Sequence, residues 1–255
     1  MFTTAIVRPP GPGFADGLTE ANLGPPDLDR ALEQHAAYCR ALERCGLTLH
    51  VLPPDPAFPD STFVEDTAFL RKDRAILTRP GAPSRQGEVE QIRKPLSTYF
   101  ESVAGIKPPG TLDAGDICDT GETVFVGLSR RTNEEGIRQL SALLSREAEV
   151  VSIDIRGIPS LLHLKSGLSS VGSGRLTVSH RLEGITFPKR FDLVQVADHE
   201  EYAANNLLIN QFLLLPSGFP QLESVLSGLG YQILLVDMSE FQKMDGGLSC
   251  LSLRF

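Results

Sequence analysis

The stretch Asp245–Phe255, DGGLSCLSLRF, decides the fold. From Leu248 on it reads as one short strand, and no second strand follows it. A strand cannot bury its own faces, so its partner must come from elsewhere in the chain. Four earlier stretches open in the same way and do carry a second strand. FVEDTAFL (63–70) precedes RAILTRPGAPS (74–84), and DAGDICDT (113–120) precedes TVFVGLSRRTN (123–133). HLKSGLSSV (163–171) precedes RLTVSHRL (175–182), and AANNLLIN (203–210) precedes QFLLLPSGFP (211–220). Each unit reads as strand, tight turn, strand and, in most cases, helix. Units of this size cannot form a core alone and must pack side by side. The N-terminal TTAIVRPPG (3–11) matches RAILTRPG in pattern and supplies the missing partner of the last unit. Pairing the two ends predicts a closed α/β ring of five units, with the start of every inner strand facing a shared axis.

The 255 residues are read as one domain, 1–255. Apolar content is 41%, and 22% of the residues are charged, which is ordinary for a globular protein. A net charge of −8 argues against nucleic acid and anionic membranes as partners and favours small cationic ligands. No apolar run is long enough to span a bilayer, and the N-terminus has no basic region of a signal peptide. The four cysteines (39, 45, 118 and 250) show neither a Cys-x-x-Cys pair nor zinc spacing, so free thiols in a reducing cytoplasm are expected.

PPDLDRALEQHAAYCRALERCG (25–46) predicts a helix with Asp27 as N-cap and Gly46 just past its end. Leu28, Leu32, His35, Cys39 and Leu42 form its apolar stripe, which makes His35 and Cys39 core residues. RRTNEEGIRQLSALLSRE (130–147) predicts another, with Thr132 and Glu135 as a capping box. Pro220 and Gly230 bracket a third. Residues 10–26 are rich in Gly and Pro without periodicity. They read as a long loop, either a lid over a site or a passive connection.

The axial ends of the units carry the candidate chemistry. Alternation along the last strand puts Leu248, Cys250, Ser252 and Arg254 on one face, so Cys250 lies on the more polar side. Nucleophilic catalysis needs a thiolate, a proton shuttle and a group that orients the shuttle. His163 and Asp113 occupy equivalent positions of neighbouring units, 50 residues apart, as do Asp113 and Phe63. The residues themselves leave other readings open: a packed histidine, a turn-forming aspartate and an apolar cysteine. Asp60, Glu65 and Asp66 around Phe63 suit a planar cation such as guanidinium, or are solvated loop acids. Arg85 and Arg131 stand at loop-to-helix junctions, where they clamp a carboxylate or remain surface charges.

Taken together and in order, FPDSTFVEDTAF, RPGAPSRQGE, PGTLDAGDI, RTNEEG, LHLKSGL and DGGLSCLSLRF resemble the dimethylarginine dimethylaminohydrolase family, within the guanidino-group modifying (pentein) superfamily. The resemblance runs over essentially the whole chain. It implies a five-bladed α/β propeller of ββαβ modules. It also implies hydrolysis of Nω-methylated L-arginine to citrulline and an amine through a covalent Cys-thiouronium intermediate, with no cofactor and no metal. Cys250 would be the nucleophile, His163 the general acid/base and Asp113 the third member. Asp60 and Asp66 would hold the guanidinium beside Phe63 and Glu65, and Arg85 and Arg131 the amino-acid end. Leu18 would lie on the lid, and Ser249 beside the nucleophile among the substrate-binding residues. A monomer or homodimer with a small-molecule substrate is expected. The alternatives are an arginine deiminase or other guanidino hydrolase and a non-catalytic binding module of the same fold. Cys250 and His163 are also zinc-ligand types, so zinc inhibition there stays open. Pocket carboxylates should keep Cys250 protonated in the free protein. A bound cation at about 4 Å contributes roughly 4 kcal/mol toward the thiolate.

Overall fold

The computed structural model describes residues 1–144 and 147–255. Its strands are β1 (Thr4–Val7), β2 (Thr48–Val51), β3 (Ala68–Arg71), β4 (Arg74–Leu77), β5 (Ser102–Gly105), β6 (Ile117–Asp119), β7 (Thr123–Leu128) and β8 (Glu149–Asp154). They continue with β9 (Leu168–Gly172), β10 (Arg175–Ser179), β11 (Asp192–Val196), β12 (Leu207–Ile209), β13 (Phe212–Pro216), β14 (Gln232–Val236) and β15 (Ser252–Arg254). They form five sheets of three strands, in the orders β15-β1-β2, β3-β4-β5, β6-β7-β8, β9-β10-β11 and β12-β13-β14. In every sheet the first strand runs antiparallel to the second, and the second parallel to the third.

The ring closes where the repeats place the closure. β1 pairs with β15 through Ala5↔Arg254, Ile6↔Leu253 and Val7↔Ser252. Thr3 N–H donates to the Phe255 carbonyl at 2.8 Å and Phe255 N–H to that of Thr4 at 3.0 Å. Each sheet contacts the next around the circle, β15 to β3 and β12 to β9 among them. The chain is thus a five-bladed α/β propeller of the pentein type.

The parallel step from second to third strand needs a crossover. The helices α1 (Leu28–Arg44), α2 (Glu88–Leu96), α3 (Glu134–Leu144) and α4 (Pro220–Gly228) supply four of them. The β10–β11 crossover uses a 3-10 turn, His180–Leu182, instead. Hairpin turns between first and second strands are made by left-handed residues, among them Lys72, Ser173 and Asn210. Middle strands such as β7 and β13 are buried, while the third strands are largely exposed at the rim.

Two local expectations need correction. On α1 the buried face is Ala31, Gln34, His35, Tyr38, Ala41 and Leu42, and Leu32 is exposed. The stripe is rotated because Tyr38 reaches the axis, where its hydroxyl meets Ser252 Oγ at 2.6 Å. His35 and Cys39 do pack into the molecule, Cys39 Sγ lying 3.6 Å from His35 Nδ1. On α3 the capping box does not form. Asn133 Oδ1 takes the Gly136 N–H at 2.8 Å and caps the helix, while Thr132 Oγ1 takes the Asp113 N–H at 3.1 Å. Part of that predicted helix falls on residues 145–146, outside the described residues. Asp27 caps α1 through the Arg30 N–H, and Gly46 takes φ +91° just past its end, both as expected.

Candidate active site

A 3-10 turn precedes every inner strand: Val64–Thr67, Ala114–Asp116, Leu164–Ser166, Asp198–Ala204 and Leu248–Leu251. These turns touch one another around the axis. Phe63, Asp113 and His163 are each the residue immediately before such a turn. Their 50-residue spacing therefore marks one structural position in three successive blades.

Cys250 lies inside the last turn, not on a strand, since β15 begins at Ser252. The shared strand face of Leu248, Cys250, Ser252 and Arg254 does not exist. Leu248, Ser249 and Leu251 are buried and Cys250 is half-buried. The two glycines before it serve close approach rather than flexibility. A Cβ on Gly246 would stand 2.3 Å from the Phe63 ring, and one on Gly247 would stand 2.5 Å from Asn205 Oδ1. The Gly247 N–H points to Cys250 Sγ at 3.4 Å.

His163 Nε2 stands 3.0 Å from Asp113 Oδ2. Asp113 is fully buried, and its other oxygen takes the Gly81 N–H at 2.7 Å. The aspartate arm thus reaches the imidazole. Asp66 flanks the same ring: one potential ligand atom from each of Asp66, Asp113 and His163 lies within 4.8 Å of the others. Burial pulls the imidazole pKa down, but Asp66, Asp113 and Asp116 outweigh it and push it up to about 9. The Cys250 thiol is pushed up to about 12, first by burial, then by Glu65 and Asp66. The resting pair is therefore imidazolium and thiol.

Leu18, Asp60, Phe63, Asp66, Arg85, Arg131, His163 and Cys250 line one small cavity of about 20 Å³. His163, Ser249 and Cys250 also line an adjoining chamber of about 540 Å³ that reaches the tip of the 10–26 loop. That loop is pinned over the cavity. The Leu18 N–H donates to both Asp60 carboxylate oxygens, at 3.1 and 3.2 Å. The Glu20 N–H donates to Asp245 at 2.6 Å, and the Glu20 carboxylate pairs with Arg130. Phe14 fills the underside, its ring centroid 5.5 Å from that of Phe241.

The two arginines differ. Arg85 is buried and gives its donors to Asp66 at 2.6 Å, to Glu88, and to the carbonyls of Asp60 and Phe63. It holds the pocket acids in place, and with His163 it keeps the Asp66 carboxyl low, near 2, against the opposing effect of burial. Arg131 makes only a 3.8 Å approach to Asp113 among the described residues and keeps its donors for the cavity. Burial raises the Asp60 carboxyl, with Arg85 and the Leu18 N–H opposing. Glu65 sits behind the Cys250 turn. It accepts from Ser249 Oγ at 2.8 Å and pairs with Lys165 at 2.6 Å and Arg254 at 2.9 Å.

Every candidate site residue named from the sequence therefore lines or borders this region. The sequence reading missed Glu88, Lys165, Asn205 and Arg254. The i,i+3 spacing of Arg85 and Glu88 was a usable signal for the first. The other three meet their partners only where separate blades converge at the axis.

Residues 27–181 match the family described as N,N dimethylarginine dimethylhydrolase, eukaryotic. Over its full length the chain is 41% identical to the N(G),N(G)-dimethylarginine dimethylaminohydrolase of Pseudomonas aeruginosa, and it covers all of that protein. The chain belongs to the dimethylarginine dimethylaminohydrolase family. A cysteine-to-serine variant of the Pseudomonas aeruginosa enzyme, solved in complex with citrulline, superposes on it with a TM-score of 0.94 at 40% identity, each chain fully covered. A histidine-to-glycine variant of a dimethylarginine dimethylaminohydrolase, solved as an adduct with S-methyl-L-thiocitrulline, gives 0.93 at 41%, again with full coverage of both. Membership makes the chain a hydrolase acting on a C–N bond of a linear amidine. Among the described residues no helix is long and apolar enough to cross a membrane, and all four cysteines are free thiols.

Proposed function

We propose that the protein hydrolyses Nω-methylated L-arginine to L-citrulline and methylamine or dimethylamine, with Cys250 as nucleophile. The observation that carries this reading is one cavity lined by the His163 imidazole, the Cys250 thiol and the Asp60 and Asp66 carboxylates, with the Asp66 charge favouring the protonated imidazole. Asp66 and Asp60 supply the negative oxygens that a guanidinium needs, and Phe63 the flat apolar wall. Arg131 receives the substrate carboxylate, while Arg85, its donors spent on Asp66, Glu88 and two carbonyls, holds the pocket acids in place. Residues 10–26 act as the lid, with Leu18 over the substrate.

The chemistry follows from the protonation states. Guanidinium is a poor electrophile, and a thiol with a pKa near 12 is a poor nucleophile at neutral pH. The bound cation favours the thiolate, as estimated above. Cys250 Sγ then bonds to the guanidinium carbon, and the thiol proton passes to solvent. His163 gives its proton to the substituted nitrogen, the C–N bond breaks and the amine departs. This leaves an S-linked thiouronium cation. Neutral His163 takes a proton from water, and hydroxide adds to the same carbon. The C–S bond then breaks, the carbonyl of citrulline forms, and its hydroxyl proton restores the thiol. Asp113 steadies the imidazolium in both halves.

Citrulline formation from asymmetric dimethylarginine, monomethylarginine and arginine, assayed side by side, tests the proposal. Turnover of the methylated substrates is expected, with loss of at least about 1000-fold in Cys250→Ser. Turnover of arginine alone would replace this reading with a deiminase, and retained activity in Cys250→Ser would remove the nucleophile.

A further inference from the structure

The opening of the fourth repeat, AANNLLIN, is the one that contributes no group to the chemistry above. Its axial residue, Asn205, is buried and faces the nucleophile turn. Asn205 Oδ1 accepts the Ser249 N–H at 3.0 Å. Its Nδ2 donates to Ser249 Oγ at 3.1 Å and to the Lys165 carbonyl at 3.0 Å. One planar amide thus ties the residue before Cys250 to a residue two after His163. Only a side chain with both an acceptor and two donors can make all three bonds. The neighbouring Asn206 turns away, to Thr177 Oγ1 at 2.8 Å and the Ala203 carbonyl at 3.1 Å.

Within the turn Leu248–Leu251 the Cys250 N–H reaches the Gly247 carbonyl at 3.1 Å and the Gly247 N–H reaches Cys250 Sγ at 3.4 Å, and neither bond crosses to another blade. Glu65 makes a second link, through charge, between Ser249 Oγ and Lys165, so Asn205 is the neutral amide strut beside an ionic one. Gly247 leaves the space that Asn205 occupies, since a Cβ there would overlap Oδ1. Tyr202 adds a second strut from the same blade, its hydroxyl donating to the Gly246 carbonyl at 2.8 Å.

We infer that Asn205 is a positioning residue for the reaction, holding Cys250 in register with His163 across the gap between blades. The inference rests on Cys250 as the nucleophile. Misplacing a reacting atom by about 1 Å costs on the order of 100-fold in rate, whereas Asp60 and Asp66, the acids that hold the guanidinium, take their hydrogen bonds from Leu18, Arg85 and Gly115 and not from Asn205 or Ser249.

The test compares wild type, Asn205→Ala, Asn205→Asp and Cys250→Ser. Measured are kcat and KM for the methylated arginine that wild type turns over best, and alkylation of each cysteine by iodoacetamide, read by peptide mass. For Asn205→Ala the expected result is a roughly 100-fold fall in kcat with KM within about threefold. Cys250 should alkylate within about threefold of the wild-type rate, and Cys45 and Cys118 should stay protected. Asn205→Asp keeps the acceptor and loses the donors, so its kcat should fall between the two. Wild-type kcat in both variants would overturn the inference, as would a fall accompanied by alkylation of Cys45 and Cys118, which marks general loosening. If Cys250→Ser still turns over, the nucleophile reading and this inference fall together. If Cys250→Ser is dead while both Asn205 variants match wild type, only the inference falls.

Discussion

At the scale of single residues, the site is defined by protons. The proposed mechanism needs thiolate and imidazolium together, one proton fewer than the resting pair. For the free enzyme, kcat/KM should therefore rise with pH through neutrality and level off as the pair loses its first proton, near 9. Asp113→Asn removes a charge that holds this proton, so the rising limb should move to lower pH by about one unit, while kcat drops about 100-fold or more. A pH–rate series on both proteins checks it, and an unmoved limb would deny Asp113 its role. His35 titrates the other way. Burial lowers its pKa to about 4, against a reference of 6.5. A depressed base adds stability that is whole above 6.5 and is lost as pH falls toward 4. His35→Leu should remove about 3 kcal/mol of this pH dependence, read from urea unfolding at pH 7 and pH 4. The repeats marked His163 and Asp113, while Cys250 was reached through a strand face that does not exist and through the family resemblance. Lys165, Arg254 and Asn205 were illegible, since a lysine or asparagine beside a strand carries no sign of a partner in another blade.

Among the elements, the 3-10 turns matter more than the strands. They were read as strand beginnings, which misplaced Cys250 on a pleated face. Period-2 alternation has meaning only in extended backbone, and the chain bends at the axis so that five openings can converge. The tight approach of Gly246 to Phe63 is part of that bend. Gly246→Ala should push the Phe63 ring out of the cavity wall and raise KM about tenfold, with a smaller effect on kcat. An unchanged KM would show that the ring is not part of the substrate wall. The helix ends illustrate the same limit. Thr132 had the sequence pattern of a cap, but the axis claims its hydroxyl for Asp113, and Asn133 caps α3 instead. Asn133→Ala should cost about 1 kcal/mol in thermal or urea unfolding.

Across the whole molecule, the five repeats and the pairing of the two chain ends were legible from pattern alone, because each blade repeats one hydrophobic problem and the ring solves it five times. That the β9–β10–β11 blade is the one without a crossover helix was not legible; the pattern said only that most units carry one. Closure through β1 and β15 also builds the site, since the last turn brings Cys250 to His163. Deleting Ser252–Phe255 should therefore abolish the cooperative thermal transition, and a retained transition would show that the ring holds without its clasp. The most direct measurement is acid quench during turnover of asymmetric dimethylarginine, followed by peptide mass analysis. The account predicts a transient adduct of substrate minus dimethylamine on the Cys250 peptide alone. Steady citrulline release with Cys250 unmodified at every quench time, or an adduct on another cysteine, would contradict it.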